Sequence, residues 1–312
     1  MPELSIIDIN KQARKSPIEF IRQCEEEYHS LVDTVAKRIT SDKNVRILLL
    51  AGPSGSGKTT TANMVCDRVR AYGEECIVVS LDDFYRSFDD PAYPKLPDGT
   101  NDCEAVEALD IPLLVETLGD IAQSREFFLP KYDFKISKRC EMKMHSAMPD
   151  GCVIIEGLHA LNPLVFSSIP AERAFKLFIS VSTNINDEFG NRILSGRKIR
   201  FIRRMVRDSL YRNASAERTL SMWKNVLAGE DKYLYPNRDY ADMSFNTFHP
   251  FELSVTRRFV ENLISEELVL REPYAKTVLL AAKKAEPIDI SLVPETSLIR
   301  EFIPGGKYES VY

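Results

Sequence analysis

The chain of 312 residues has little of what marks a secreted, membrane-spanning or metal-clustered protein. No apolar run approaches the roughly 20 residues that a spanning helix needs. The stretch Met1 to Lys15 lacks the apolar segment of a signal peptide. Six cysteines, at 24, 66, 76, 103, 140 and 152, are scattered and form no C-x-x-C pair. Four histidines, at 29, 145, 159 and 249, have no metal-ligand spacing. Free buried thiols in a reducing compartment are the better reading, which places the chain in the cytoplasm. Positive charge is not in excess either. Lys and Arg number 41 against 46 Asp and Glu, a net charge of −5. That balance gives no general reason to expect a nucleic-acid or membrane partner. Repeats and low-complexity segments are absent. Hydrophobic content of 44% is ordinary and supplies a core for one large or two small domains.

What is present begins at Gly52-Pro53-Ser54-Gly55-Ser56-Gly57-Lys58-Thr59, a complete G-x-x-x-x-G-K-[ST] loop, followed by Thr60. It follows the apolar run Val45 to Ala51 and opens into a segment of helical spacing. In a strand–loop–helix context the glycines let backbone N–H groups curl around a polyphosphate, and the helix N-terminus faces the same anion. Lys58 would neutralise the β/γ-phosphates and the Thr59 hydroxyl would hold Mg²⁺. A chance glycine-rich turn is the bland alternative, and the flanking strand and helix argue against it.

Periodicity supplies the frame. Residues 16–40 carry a helical apolar stripe, and residues 41–44 a polar break. A helix over 60–72 ends at Gly73, a strand covers 76–81, and residues 91–102 form a loop rich in Pro, Gly and Asp. The spacing predicts a helix over 104–123, a small β-hairpin over 127–144, strands at 152–155, 174–181 and 243–245, and helices over 198–212, 216–227 and 251–267. Alternating strands and helices predict an α/β fold: a P-loop NTPase-type doubly wound parallel sheet, with a helical arginine lid and a β-hairpin appendage. The expected division is an N-terminal helical extension over 1–44, a catalytic domain over 45–267, and a C-terminal extension over 268–312. Residues 274–284 have a helical apolar face, and the extension is expected to pack on the core.

Ligands of open parallel sheets sit beyond the carboxyl ends of the strands. Two strands end there in acids: Ser80-Leu81-Asp82-Asp83-Phe84-Tyr85 and Val153-Ile154-Ile155-Glu156-Gly157. Each could cap a helix. Beside a phosphate loop they suit a proton acceptor and a Mg²⁺ holder. Residues 197–212 then hold seven Arg and Lys against one acid, Asp208. Arg200, Arg203, Arg204 and Arg207 share one helical face, which repels itself unless an anion sits against it. A mobile lid on a transferring phosphoryl group is one reading. A solvated basic face, or one that binds RNA, is the other.

These residues together carry a resemblance. Gly52–Thr59, Ser80–Tyr85, Pro130-Lys131-Tyr132-Asp133-Phe134, Ile155-Glu156-Gly157, Arg203–Asp208 and Ala241-Asp242 occur in one order. That order resembles the uridine kinase branch of the phosphoribulokinase/uridine kinase family, over about residues 45–265. Gly229-Glu230, Tyr235-Pro236, Phe245-Asn246, Phe251-Glu252-Leu253 and the ending Val293-Pro294 to Ile303 resemble a bacterial uridine kinase-like group. Members of that group often carry an added N-terminal TGS-type module. This chain is expected to lack it, with only the helix over 16–40 ahead of the kinase.

The resemblance implies an ATP- and Mg²⁺-dependent transferase that phosphorylates a nucleoside 5′-hydroxyl. It casts Asp82 as general base, Tyr85 and Tyr132 as walls of the nucleoside pocket, and Glu156 as the acid near Mg²⁺. Arg204, Arg207 and Arg212 match lid and substrate arginines. Glu104 falls where an aspartate holds the ribose hydroxyls. Ser137 stands in place of a base-contacting histidine and Ala214 in place of an arginine, so the base preference is left open. The partners expected are a small-molecule nucleoside, no nucleic acid and no membrane, with a homo-oligomer left open. Rivals are a kinase of a phosphosugar or of pantothenate, and a non-catalytic nucleotide-binding regulator. No Asn-Lys-x-Asp motif supports a GTPase.

Overall fold

In the computed structural model, which describes residues 3–308, the chain alternates strands and helices. It opens with β1 (Glu3–Ser5), α1 (Ile6–Lys15) and α2 (Pro17–Ser41), then β2 (Ile47–Ala51), α3 (Lys58–Ala71) and β3 (Cys76–Ser80). There follow α4 (Ile111–Ala122), the hairpin strands β4 (Phe127–Asp133) and β5 (Lys138–His145), β6 (Cys152–Glu156), α5 (Pro163–Phe166) and β7 (Ala174–Ser180). The remainder comprises β8 (Asn184–Asn186), β9 (Arg192–Leu194), α6 (Gly196–Arg212), α7 (Ala216–Gly229), β10 (Met243–Asn246), α8 (Glu252–Leu263), α9 (Glu266–Arg271) and α10 (Pro273–Lys284).

Five strands form one parallel sheet in the order β10-β7-β2-β6-β3. β2 and β6 are buried throughout, as expected of central strands covered on both faces. Side chains alternate between two cores: Leu48, Leu50 and Ile154 face one, and Ile47, Leu49, Val153 and Ile155 the other. The chain crosses from β3 at one edge back to β6 and then beyond β2 to β7, so β2 marks the switch point where ligands bind. Register brings Leu50 and Ser80 level with Glu156. The loop after β2, the acid ending β6 and the acids after β3 therefore share one rim.

The termini join the same core. α2 lies on α3, with Tyr28 and Thr61 hydroxyls 2.6 Å apart. Asn10 bonds the Lys284 carbonyl and accepts from the Glu286 N–H, tying α1 to the end of α10. β1 pairs in parallel with β8, and β8 antiparallel with β9, in a small second sheet that the periodicity did not reveal.

Two boundaries differ from the sequence reading. The helix expected over 104–123 begins at Ile111, because the Asp110 side chain caps it through the Leu113 N–H and Pro112 fills its first turn. Glu104 thus stands on a loop. The helix expected over 251–267 stops at Leu263, since Ser265 caps a new one at Leu268 N–H. Residues 197–198 are already helical in α6, and α3 begins at Lys58.

Candidate active site

The loop after β2 has the backbone that its sequence demands. Gly55 and Gly57 take positive φ of 73° and 88°, which other residues rarely adopt. A Cβ on Gly52 would meet the Ile179 carbonyl oxygen at 2.5 Å. Ser56 Oγ lies buried with no partner among the described residues, the kind of group that an incoming phosphate oxygen satisfies. Lys58 Nζ lies 3.4 Å from the Pro53 carbonyl. Thr60, the residue after the motif, is engaged by an acid: its N–H and hydroxyl both bond Glu301, at 3.3 and 2.8 Å.

Thr59 Oγ1 stands 3.4 Å from Glu156 Oε1, joining the two expected metal holders. Burial pushes the Glu156 carboxyl up to about 7 against the pull of Lys58, with Asp82 adding to the rise. No cluster of three or more metal-ligating side chains occurs among the described residues.

Asp82 and Asp83 part ways. Asp83 accepts from the Tyr132 N–H at 3.2 Å and pairs with Lys131 at 3.1 Å, pinning the hairpin to the end of β3. Asp82 is open to the cleft and feels Lys58, Arg212 and Arg207; its crowded, desolvated position nonetheless raises its pKa. Around it stand Tyr85, whose ring centroid is 5.9 Å from that of Tyr132, and Phe134, 4.9 Å from Tyr132. The Tyr85 hydroxyl bonds the Cys103 carbonyl. Glu104 sits against Gly229, and its pKa is pushed up to about 7 by burial, Arg204 opposing. Ser137 lies at the hairpin turn with φ 54°, its carbonyl accepting from Phe88 N–H.

The arginine helix is where the sequence reading changes most. Its face does meet anions, but they are the protein's own. Arg200 makes a two-pronged pair with Glu230 at 2.7 and 2.8 Å and also bonds the Ser54 carbonyl. Arg203 grips Glu252 at 2.6 and 2.9 Å and reaches the Gly55 carbonyl at 3.2 Å. Both arginines are 1% exposed. They clamp the phosphate loop and are no part of a mobile lid. Arg204 donates to Ser54 Oγ and pairs with Asp208, which also pairs with Arg207 and Arg212. Burial lowers the Arg204 pKa, with Arg207 and Arg212 adding to it. Arg212 is exposed at the helix end. Ala214, where the resemblance expects an arginine, follows Asn213, whose left-handed backbone ends the helix.

Glu230, Glu252, Asp208 and Glu301 were missed as organisers of this site. Their signal was present: four arginines on one face require anions, and these acids sit within motifs that carried the resemblance.

A family model described as Phosphoribulokinase / Uridine kinase family matches residues 47–253, about two thirds of the chain. The chain belongs to that family. It is accordingly a kinase, a phosphotransferase on the P-loop fold. Among its relatives, a uridine kinase of Lactobacillus johnsonii is 27% identical over 198 residues, covering 63% of this chain and 84% of that protein. A uridine kinase of Borrelia hermsii is 29% identical over 200 residues, covering 64% and 85%. A solved structure described as a possible uridine kinase from Bacillus stearothermophilus is 20% identical with a TM-score of 0.46, covering 70% of this chain and 100% of that one. All six cysteines of this family member are free, and no helix among the described residues is long and apolar enough to cross a membrane.

Proposed function

We propose that the chain transfers the γ-phosphoryl group of ATP, with Mg²⁺, to the 5′-hydroxyl of a nucleoside. The observation that carries this reading is the position of Asp82. Its charge is felt together with those of Lys58, Arg207 and Arg212, and it acts in turn on Tyr85 and Glu104, the Tyr85 ring lying 5.9 Å from that of Tyr132. A base placed between a phosphate loop and a ring-lined pocket can take the proton of a bound hydroxyl as it attacks.

The loop N–H groups between Ser54 and Thr60 would cradle the nucleotide phosphates, with Gly52 and Pro53 shaping the entry to the loop, and Lys58 would sit on the β/γ-phosphates. Thr59 and Glu156 would hold Mg²⁺, which when bound screens the charge of the transferring group. Arg204 and Arg207 line the same space and would stabilise the equatorial oxygens, with Arg212 at its rim. Glu104 would accept hydrogen bonds from the two ribose hydroxyls, while Tyr85 and Tyr132 pack on the base. Ser137 is shorter than a histidine and carries no charge. A pocket with fewer polar groups to leave unpaired discriminates less, so the base preference is weak or shifted.

The test is an ADP-release screen over uridine, cytidine, purine nucleosides, pantothenate and sugar phosphates, with ATP and Mg²⁺. Turnover of nucleosides that is lost in Lys58→Ala supports the reading. Turnover confined to a non-nucleoside alcohol would move the chain to another acceptor, and wild-type-like activity of Lys58→Ala would sink the nucleotide assignment.

A further inference from the structure

We propose that Glu301 is a built-in anion that occupies the α-phosphate position of the phosphate loop and thereby sets nucleotide affinity. The inference rests on the nucleotide-binding reading above, but concerns a residue well outside the family match at 47–253.

The first N–H groups of a helix have no partner within it, and they are the donors that a bound phosphate uses. In α3, Thr60 is the third residue, and its N–H and hydroxyl both bond one oxygen of Glu301. The other Glu301 oxygen lies 3.9 Å from Arg207 Nη1. One carboxylate thus holds a loop donor and an arginine of the site together. Its side chain is 6% exposed. A carboxylate and a phosphate cannot share these donors, and each repels the other in a confined site. Nucleotide entry must therefore turn Glu301 out and break its ion pair with Arg207 in the same step, while Arg207 keeps its pair with Asp208.

The segment that carries Glu301 does not leave with it. Leu298 lies against Gly57, where any Cβ would collide with its side chain. Leu298, Ile299, Phe302 and Ile303 are fully buried. Ser297 bonds Glu25 of α2, Arg300 bonds the Ile290 and Val293 carbonyls, and Lys307 and Tyr308 both bond Asp67 of α3. With the backbone anchored on both sides, Glu301 moves by side-chain rotation alone. Its effect is a fixed competition for the phosphate, present in every copy of the chain.

The experiment measures calorimetric affinity of the full chain and of Glu301→Gln and Glu301→Ala for adenosine, AMP and Mg·ADP. Removing the competing carboxyl group should tighten AMP and ADP about tenfold or more, as expected for loss of a rival hydrogen-bond acceptor on Thr60. Adenosine affinity should stay within error, because it brings no phosphate to the contested donors. Glu301→Asp keeps the charge and should remain closer to the parent. Unchanged or weaker ADP binding in both neutral variants overturns the inference, as does equal tightening of adenosine. If Glu301→Ala fails to fold, the near-isosteric Glu301→Gln decides alone. A parent chain that binds none of the three ligands fails the nucleotide reading itself, a result distinct from the other two.

Discussion

On the phosphate-loop side of the cleft, Arg200, Arg203, Glu230 and Glu252 are almost wholly buried and paired with one another. Across it, Asp82 is open to solvent and the hairpin shows Phe134 at 61% exposure. The loop side is fixed by charge pairs that would be costly to break one at a time, and so holds its N–H groups in place before any ligand arrives. The acceptor side rests on a two-stranded hairpin whose outer face carries Phe128, Ile136 and Met144 in solvent. Two strands alone are marginal in water, and this pair is tied to the core partly through Asp83. The contrast suggests a division of labour. The buried charge pairs lie on the side of the phosphate loop, and the exposed apolar side chains on the side of the proposed acceptor pocket.

The sharpest way to break this comparison is to change one residue on each side. Asp82→Asn removes the proposed proton acceptor and relieves a carboxylate crowded by Asp83. Turnover should fall by about 10²–10⁴-fold, with the melting temperature unchanged or higher. Steady-state kinetics beside a thermal melt reads both; a large loss of stability with little loss of rate would reverse the assignment of the two sides.

Arg203→Met should do the opposite. It strands Glu252 without its partner and should cost about 3–5 kcal/mol of stability, seen as a lower urea midpoint. Adding Glu252→Gln should recover much of that loss, since no buried charge is then left alone. A single variant as stable as the parent would show that the clamp is not structural.

Acidity offers a gentler probe. Burial raises Glu156 and Glu104 from an ordinary carboxylate to about 7. The folded chain then holds more protons than the unfolded chain between about pH 4.5 and 7. Stability from these groups is full at the acid end and is lost as the pH rises through 7. On the proposed role of Glu156, Mg²⁺ is held by its ionised form, so Mg·ADP should raise the melting temperature more at pH 8 than at pH 6. Glu25, also near 7 through burial, adds the same slope away from the cleft. Glu156→Gln should therefore flatten the ligand-dependent part and remove its own share of the ligand-free slope, leaving the shares of Glu104 and Glu25. An equal Mg·ADP effect at both pH values would remove Glu156 from the metal's surroundings.

The smallest effect is expected at Phe134→Ala. An exposed ring on the hairpin contributes little to the core, so stability should change by about 0.5 kcal/mol or less. The KM for the acceptor should rise modestly while kcat holds, because the ring packs edge-on against Tyr132 beside the proposed pocket. A loss of stability comparable to that of Arg203→Met would erase the contrast between the sides.

Local pattern was enough for much of this protein. The glycine loop and Lys58, the apolar runs that became β2, β3, β6 and β7, and the acids ending two of them were legible without coordinates. Each is encoded within a few residues, by backbone freedom, by alternation, or by a charge placed after a buried strand. The start of α4 was also encoded, in Asp110 and Pro112, but the apolar stripe obscured it. Only the tertiary structure decided which acids meet the arginines, because Glu230, Glu252 and Glu301 reach Arg200, Arg203 and Thr60 across 30, 49 and 241 positions. It likewise separated Asp82 from Asp83, since that difference lies in where the hairpin docks. Short-range sequence states that a buried charge needs a partner; only the folded chain brings the two ends together and names it.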